Sequence, residues 1–294
     1  MLGRKRVACR IWNVRDAQPS RTALRVAIRR AAHQILDRPL ILDDPLATRI
    51  IGPEEALKLP RDSESEDAAA RGMRAFMAVR SRFAEDELAA AVAGGTKQYV
   101  VLGAGLDTFA YRNPHARLRV FEIDHPATQQ WKRELLQTAG IEIPEEAVFV
   151  PVDFERESLG TCLERCGFRM DHPAFFSWLG VVPYLSESAF DGTLNFIAAL
   201  PKPSAVVFDY GVARSALSWK ERFMLDALAA RVAAAGEPFR LFFEPEQLAA
   251  QLHGMGFSHI EDLGADEINR RYFFGRTDGL QLKNNLGRLV SARS

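Results

Sequence analysis

Hydrophobic and polar positions along this chain follow one rhythm before residue 95 and another after it. In the first part apolar residues recur at three- and four-residue intervals and no strand-like run appears, which predicts helices. Thr22 to Leu36 is an Ala- and Arg-rich helix of this kind, and Arg38-Pro39 ends it, because the residue before a proline is pushed away from helical backbone angles. Asp44-Pro45 opens the next helix, with Asp capping and Pro in the first turn. Arg61 to Asp67 is charged and free of apolar side chains, and reads as a mobile surface loop. A long helix then runs from about Ala69 to Ala93, carries Arg80, and stops at Gly94-Gly95.

Beyond that point short apolar runs alternate with helical segments. The runs lie near 98–103, 118–123, 147–152, 173–179 and 204–210. This alternation predicts an α/β fold built on a doubly wound sheet. Val212 to Ala235 is Ala-rich and helical and is assigned to an inserted lid, Phe239 to Phe243 returns the chain, and Pro245 to Met255 forms another helix. Phe257 to Leu263 and Arg288 to Ala292 supply the last two strands.

The first strand breaks into Gly103-Ala-Gly105, a turn in which the missing Cβ atoms allow a sharp bend and close approach of a ligand. The second strand ends at Asp124, 21 residues after Gly103. In a mononucleotide-binding half-sheet an acid at about that spacing accepts hydrogen bonds from ribose hydroxyls. The two features together predict an adenosine-bearing cofactor. A dinucleotide turn wants a third glycine beside the pyrophosphate, but this chain has Thr108 there, preceded by Asp107. A carboxylate repels a pyrophosphate and suits an amine and a sulfonium, so S-adenosylmethionine fits. The third strand closes on Asp153 and Phe154. Two uses of Asp153 stand side by side: accepting from an adenine amino group while Phe154 covers the ring, or capping the helix that begins near Glu155.

Pro19–Leu24, Ile41–Ala47, Val79–Phe83, Leu102–Thr108, Ala110–Arg112, Phe121–Pro126, Val152–Phe154, Trp178–Leu185 and Phe208–Tyr210 together resemble the leucine carboxyl methyltransferase family, in its bacterial branch of S-adenosylmethionine-dependent O-methyltransferases. The resemblance spans most of the chain in the expected order. It implies a class I methyltransferase (Rossmann-like) sheet, mostly parallel with an antiparallel last strand, plus a helical N-terminal cap and a helical insertion after strand 5. The implied organisation is a basic extension over 1–17, a helical cap over 18–95, and a core over 96–294 with the lid near 211–240. Residue by residue, Arg80 matches the arginine that holds the cofactor's carboxylate, and Gly103 matches the glycine under its methionine moiety, with Gly105 in the same turn. Asp124 matches the ribose acid, and Asp153 with Phe154 matches the adenine pair. Two positions depart from the family pattern. Phe109 stands where the family usually has Arg, and Leu179 where many members have a Glu near the cofactor's amino-acid end.

Composition narrows the partners. The chain has 294 residues, with 38 basic and 38 acidic side chains and a formal net charge of zero, so it has no global field for a polyanion. Small substrates or protein partners are favoured over nucleic acid. Cys162 and Cys166 sit four apart without further ligands around them, so no metal site is expected, and free thiols suit a cytoplasmic protein. The first fifteen residues hold five basic side chains and no acid, and no run approaches a membrane span.

Candidates for acid–base chemistry are few. His125 follows the ribose acid directly, His172 lies on the side of the sheet away from ligands, and His253 falls in a late helix. Tyr184 follows the fourth strand, where its hydroxyl either orients a substrate oxygen or is satisfied within the core. Asp209 and Tyr210 end the fifth strand, and Phe239, Phe242 and Phe243 either wall a pocket or pack the core. The expected activity is methyl transfer from S-adenosylmethionine to a hydroxyl or carboxyl of a small, fairly apolar, polyketide-like acceptor, driven by proximity and desolvation. Methylation of a protein C-terminal carboxylate and a non-catalytic cofactor-binding module are the rivals.

Overall fold

The computed structural model describes residues 21–63, 68–152, 158–234 and 238–294. Among these residues four helices precede the sheet: α1 (Arg21–Leu36), α2 (Ala47–Ile50), α3 (Pro53–Ser63) and α4 (Ala68–Ala93). Two local expectations give way here. Leu46, not Asp44, occupies the N-cap of α2, because the Asp44 carboxylate is drawn inward to Arg30 and Thr108. The charged stretch begun at Arg61 continues α3 as far as Ser63 before leaving the described residues.

The sheet follows as β1 (Gln98–Leu102), β2 (Arg119–Asp124), β3 (Ala147–Pro151), β4 (Phe175–Trp178), β5 (Ala205–Gly211), β6 (His259–Leu263) and β7 (Gly287–Arg293). Its seven strands run in the order β3-β2-β1-β4-β5-β7-β6. Pairings from β3 through β5 are parallel, and β7 is antiparallel to both β5 and β6. The order reverses between β1 and β4, and the crevice at such a switch point, beyond the C-terminal strand ends, is where open α/β sheets take ligands.

Alternation along the strands divides the core into two layers. Val100, Leu102, Phe121, Ile123, Phe176 and Trp178 face one side, where α6 (Leu159–Arg165), α7 (Glu187–Ala198) and α9 (Pro245–Gly254) cover them. Tyr99, Val101, Val120 and Phe175 face the other side, against Ala75, Val79, Phe83 and Leu88 of α4. Helices on both faces account for strands that are apolar on both sides. Between β2 and β3 runs α5 (Pro126–Thr138), and β5 is followed by α8 (Trp219–Ala234), whose one buried side chain among those described is Leu225. A third cluster joins Ala27, Ala31, Ile50 and Leu59 of the first three helices to Leu106 and Leu136, so the helical layer sits directly on the glycine turn. A short helix, α10 (Ala265–Ile268), continues into a π-helical turn at Asn269–Phe273, an element the hydrophobic pattern does not announce.

Candidate functional site

A cavity of about 490 Å³ opens at the switch point, within the usual range for small-molecule sites. Its floor is Val101 to Asp107, and one end carries Asp124, His125 and Val152. Thr22, Ala23, Val26 and Arg30 of α1 close it from above, and Arg80 and Ser81 approach from α4. The opposite wall is Ser177, Leu179 to Val181, Tyr184, Leu185, Pro238 and Arg240. Arg80, Gly103, Gly105, Asp107, Asp124 and Tyr184, far apart in sequence, therefore share one space. Asp153 and Phe154 lie outside the described residues, directly after Val152 on its rim.

Gly103 has a φ of +69°, and a Cβ built on it would stand 2.3 Å from Val181 Cγ2, so both its angle and its surroundings require glycine. The bend brings the Gly105 amide to the end of β2, where it donates to Asp124 Oδ2 at 2.6 Å; the His125 amide donates to Oδ1 at 2.7 Å. Burial pushes the Asp124 carboxyl above the usual aspartate value, and these two backbone bonds oppose the shift without cancelling it. His125 is exposed and lines the cavity. Its Nδ1 accepts from Ala127 N at 3.2 Å and caps α5.

Asp107 is also on the floor. Burial works against its charge, but Arg30, Lys132 and Arg112 together hold its carboxyl below the ordinary value, so the cavity keeps a carboxylate there. Arg30 donates from Nε to Asp44 at 3.1 Å and from Nη2 to the Leu106 carbonyl at 2.8 Å, while its Nη1 lies 3.7 Å from Asp107. Thr108 adds a 2.7 Å bond from its hydroxyl to Asp44. The turn after β1 is thus tied to the helical layer by charge as well as by packing. Neither Arg30 nor Asp44 stands out as functional in the sequence: Arg30 lies in none of the matching segments, and Asp44, within Ile41–Ala47, reads as a helix cap.

Arg80 is buried, and its Nη1 donates to Asp209 Oδ2 at 3.1 Å. Asp209 Oδ1 accepts from Gly180 N at 2.5 Å. Gly180 has a φ of +72°, and a Cβ there would lie 2.8 Å from Arg80 Nη1. The guanidinium is seated on a glycine backbone and oriented by a carboxylate from β5, with a further edge at the cavity.

The two departures from the family pattern resolve into packing. Phe109 is buried, edge-on to Tyr99 at 5.2 Å between ring centres, with Arg112 5.7 Å above its ring. Leu179 is half-buried and gives the cavity an apolar wall. Tyr184 packs on Phe239 at 5.4 Å, whereas Phe242 and Phe243 join the core. Tyr210 is buried and donates to Asp262 at 2.7 Å, away from the site. His172 pairs with Asp171 on an exposed corner, and the His253 ring meets the Phe257 carbonyl at 3.0 Å. Among the described residues no group of three or more potential metal ligands occurs, and no helix is long and apolar enough to cross a membrane.

The chain is similar to known proteins in sequence and, separately, in fold. The family model described as leucine carboxyl methyltransferase matches residues 23–198. A Bacillus subtilis protein provisionally named as the S-adenosyl-L-methionine-dependent methyltransferase YktD is 32% identical over 291 residues, covering 91% of this chain and 95% of that protein. A Mycobacterium ulcerans protein with the same provisional description is 34% identical over 201 residues, 65% of this chain and 64% of its own length. Among solved structures, a provisionally assigned methyltransferase from Thermobifida fusca superposes with a TM-score of 0.55 at 17% identity, over 92% of this chain and 94% of the other.

Proposed function

Because the chain belongs to the leucine carboxyl methyltransferase family and is thereby an S-adenosylmethionine-dependent methyltransferase, we propose that it methylates an oxygen, hydroxyl or carboxyl, of a small and fairly apolar acceptor. The observation that carries this reading is the division of the cavity. Arg30, Asp107 and Asp124 gather around the glycine turn, while Leu179, Val181, Tyr184 and Leu185 make most of the facing wall apolar, with Arg240 at its rim.

The residues present suit the cofactor. Asp124 offers carboxylate lone pairs to ribose hydroxyls, Gly103 and Gly105 leave room for the chain above the turn, and Asp107 complements a positive charge. Arg80, already oriented by Asp209, holds the carboxylate through its fork. Asp153 and Phe154 are assigned to adenine. Bound there, S-adenosylmethionine supplies an electrophilic methyl group: the acceptor oxygen forms the new carbon–oxygen bond as the methyl–sulfur bond breaks with its electron pair kept by sulfur, and a hydroxyl acceptor gives up its proton to solvent.

The protein's contribution is alignment and exclusion of water. Holding reactants in line replaces a bimolecular encounter by a unimolecular one, an effect of up to about 7–11 kcal/mol in well-oriented cases. A carboxylate acceptor is ionised at neutral pH and needs no base. Calorimetry with S-adenosylmethionine and with NAD, followed by transfer of labelled methyl to panels of phenols, alcohols, carboxylic acids and peptide C-termini, tests the proposal. Alkali-labile label marks esters and stable label marks ethers. Label reaching only peptide termini, or only nitrogen, would overturn it.

A further inference from the structure

We propose that Arg240 is an anion-binding residue for the acceptor, and that the acceptor is an aromatic molecule carrying a carboxylate apart from the oxygen that is methylated. This rests on the small-acceptor reading above and narrows it to a chemical class. Among the described residues three arginines line the cavity. Arg30 is committed to Asp44 and Asp107, and Arg80, oriented by Asp209, is assigned above to the cofactor carboxylate. The Arg240 side chain is exposed at the cavity rim and makes no ion pair or hydrogen bond among the described residues. Its donors are therefore available to a ligand, and a guanidinium fork matches a carboxylate with two parallel bonds.

The backbone under Arg240 is hydrogen-bonded although its side chain is exposed. Arg240 N donates to the Pro183 carbonyl at 2.7 Å, and Leu241 N shares the same acceptor at 3.2 Å. These bonds stitch 240–241 to the 3-10 turn Val182–Tyr184 that follows β4. Directly before Arg240, Phe239 packs against Tyr184 with the rings tilted by 46°, so an aromatic ring and a cation stand next to each other at the same rim. Asp124 marks the ribose end of the cavity on β2, whereas Arg240 and Tyr184 mark the wall beyond β4 and β5. A planar ring against Leu179 and Tyr184, with its carboxylate at Arg240, uses both the apolar and the cationic part of that wall.

The test compares 3-(4-hydroxyphenyl)propionate with its uncharged amide, by calorimetry on the full chain saturated with S-adenosylhomocysteine and by transfer of labelled methyl. Wild type is expected to favour the carboxylate about tenfold, the scale of a hydrogen bond to a charged group. Arg240→Gln should abolish that preference by weakening the carboxylate alone, Arg240→Lys should keep part of it, and S-adenosylmethionine affinity should stay unchanged in both. Equal binding of acid and amide, or binding of neither at millimolar concentration, would overturn the proposal. Loss of S-adenosylmethionine affinity in Arg240→Gln would overturn it too, by assigning Arg240 to the cofactor. Label that reaches peptide termini alone defeats the small-acceptor reading itself, whereas transfer to both phenols without a charge preference defeats only the role of Arg240.

Discussion

Arg80 and Asp209, 129 positions apart in the chain, meet inside the protein through a 3.1 Å hydrogen bond from Nη1 to Oδ2. The other oxygen of the same carboxylate takes the Gly180 amide. One side chain at the end of β5 thus fixes both the arginine of α4 and the loop that leaves β4. Removing a single partner from a buried pair leaves an uncompensated charge, which is where such pairs show their strength.

Arg80→Lys is expected to weaken S-adenosylmethionine about tenfold while leaving 5′-methylthioadenosine, which lacks the carboxylate, nearly unaffected. Asp209→Asn, which keeps the shape but not the charge, should do the same to a lesser degree. Calorimetry with both ligands decides it: equal weakening would mean that the helical layer has loosened and that Arg80 does not touch the cofactor.

Asp124→Ala should cost about 1.5–3 kcal/mol of cofactor affinity, the scale of hydrogen bonds to a charged group. Burial holds the Asp124 carboxyl above its usual value. The ionised form, to which the proposal gives the ribose hydroxyls, is therefore lost, as pH falls, at a higher pH than for an exposed aspartate. Binding titrations should show affinity declining on the acid side with a midpoint above 3.8, the ordinary aspartate value, and Asp124→Asn should flatten that limb.

Gly180→Ala is expected to destabilise the fold by about 1–3 kcal/mol, since alanine is strained at positive φ. Its methyl group would also displace the Arg80 guanidinium, 2.8 Å away. Chemical denaturation gives the first effect. The second should appear as weaker S-adenosylmethionine binding with 5′-methylthioadenosine spared, and a variant that loses stability but binds normally would separate Gly180 from the site.

Asp37 is buried between Arg74, which donates to both of its oxygens at 2.9 and 3.0 Å, and His33, whose Nδ1 lies 2.8 Å from Oδ2. Burial alone would raise its carboxyl, but the bonds to His33 and Arg74 win and hold it at about 2. The unfolded chain therefore binds this proton first. The stabilisation is complete above the ordinary value of 3.8 and is lost as pH falls toward about 2, an effect of roughly 2 kcal/mol. Denaturation midpoints measured across this window should fall less steeply for Asp37→Asn than for wild type.

The sheet was legible because buried parallel strands are apolar on both faces and end in recognisable turns. Gly103, Asp107 and Asp124 could be placed from spacing alone, since one strand–turn–strand unit sets their separation. What stayed hidden was tertiary. Asp44 followed by proline looks like a helix cap, but Arg30 and Thr108 make a stronger demand on its carboxylate. Asp209 was visible as a strand-end acid, yet its hold on Arg80 depends on α4 crossing β5. Arg240 has no motif, because its position depends on a carbonyl of Pro183 more than fifty residues earlier. The π turn at Asn269–Phe273 has neither helical length nor strand alternation to reveal it.

The placement of β7 between β5 and β6 has a consequence for how the chain is made. Synthesis runs from the N-terminus, so β5 and β6 both emerge from the ribosome before the strand that joins them. Until Gly287–Arg293 follows, β6 has no partner in the sheet and β5 keeps an open edge. Unpaired edges of this kind recruit other chains. The β1–β4 half that carries the glycine turn can assemble while translation continues, but Asp209, at the open edge, gains its flanking strand only when the last one slides in. Closing the sheet, and with it the wall behind Arg80, therefore waits until all the other strands have been made.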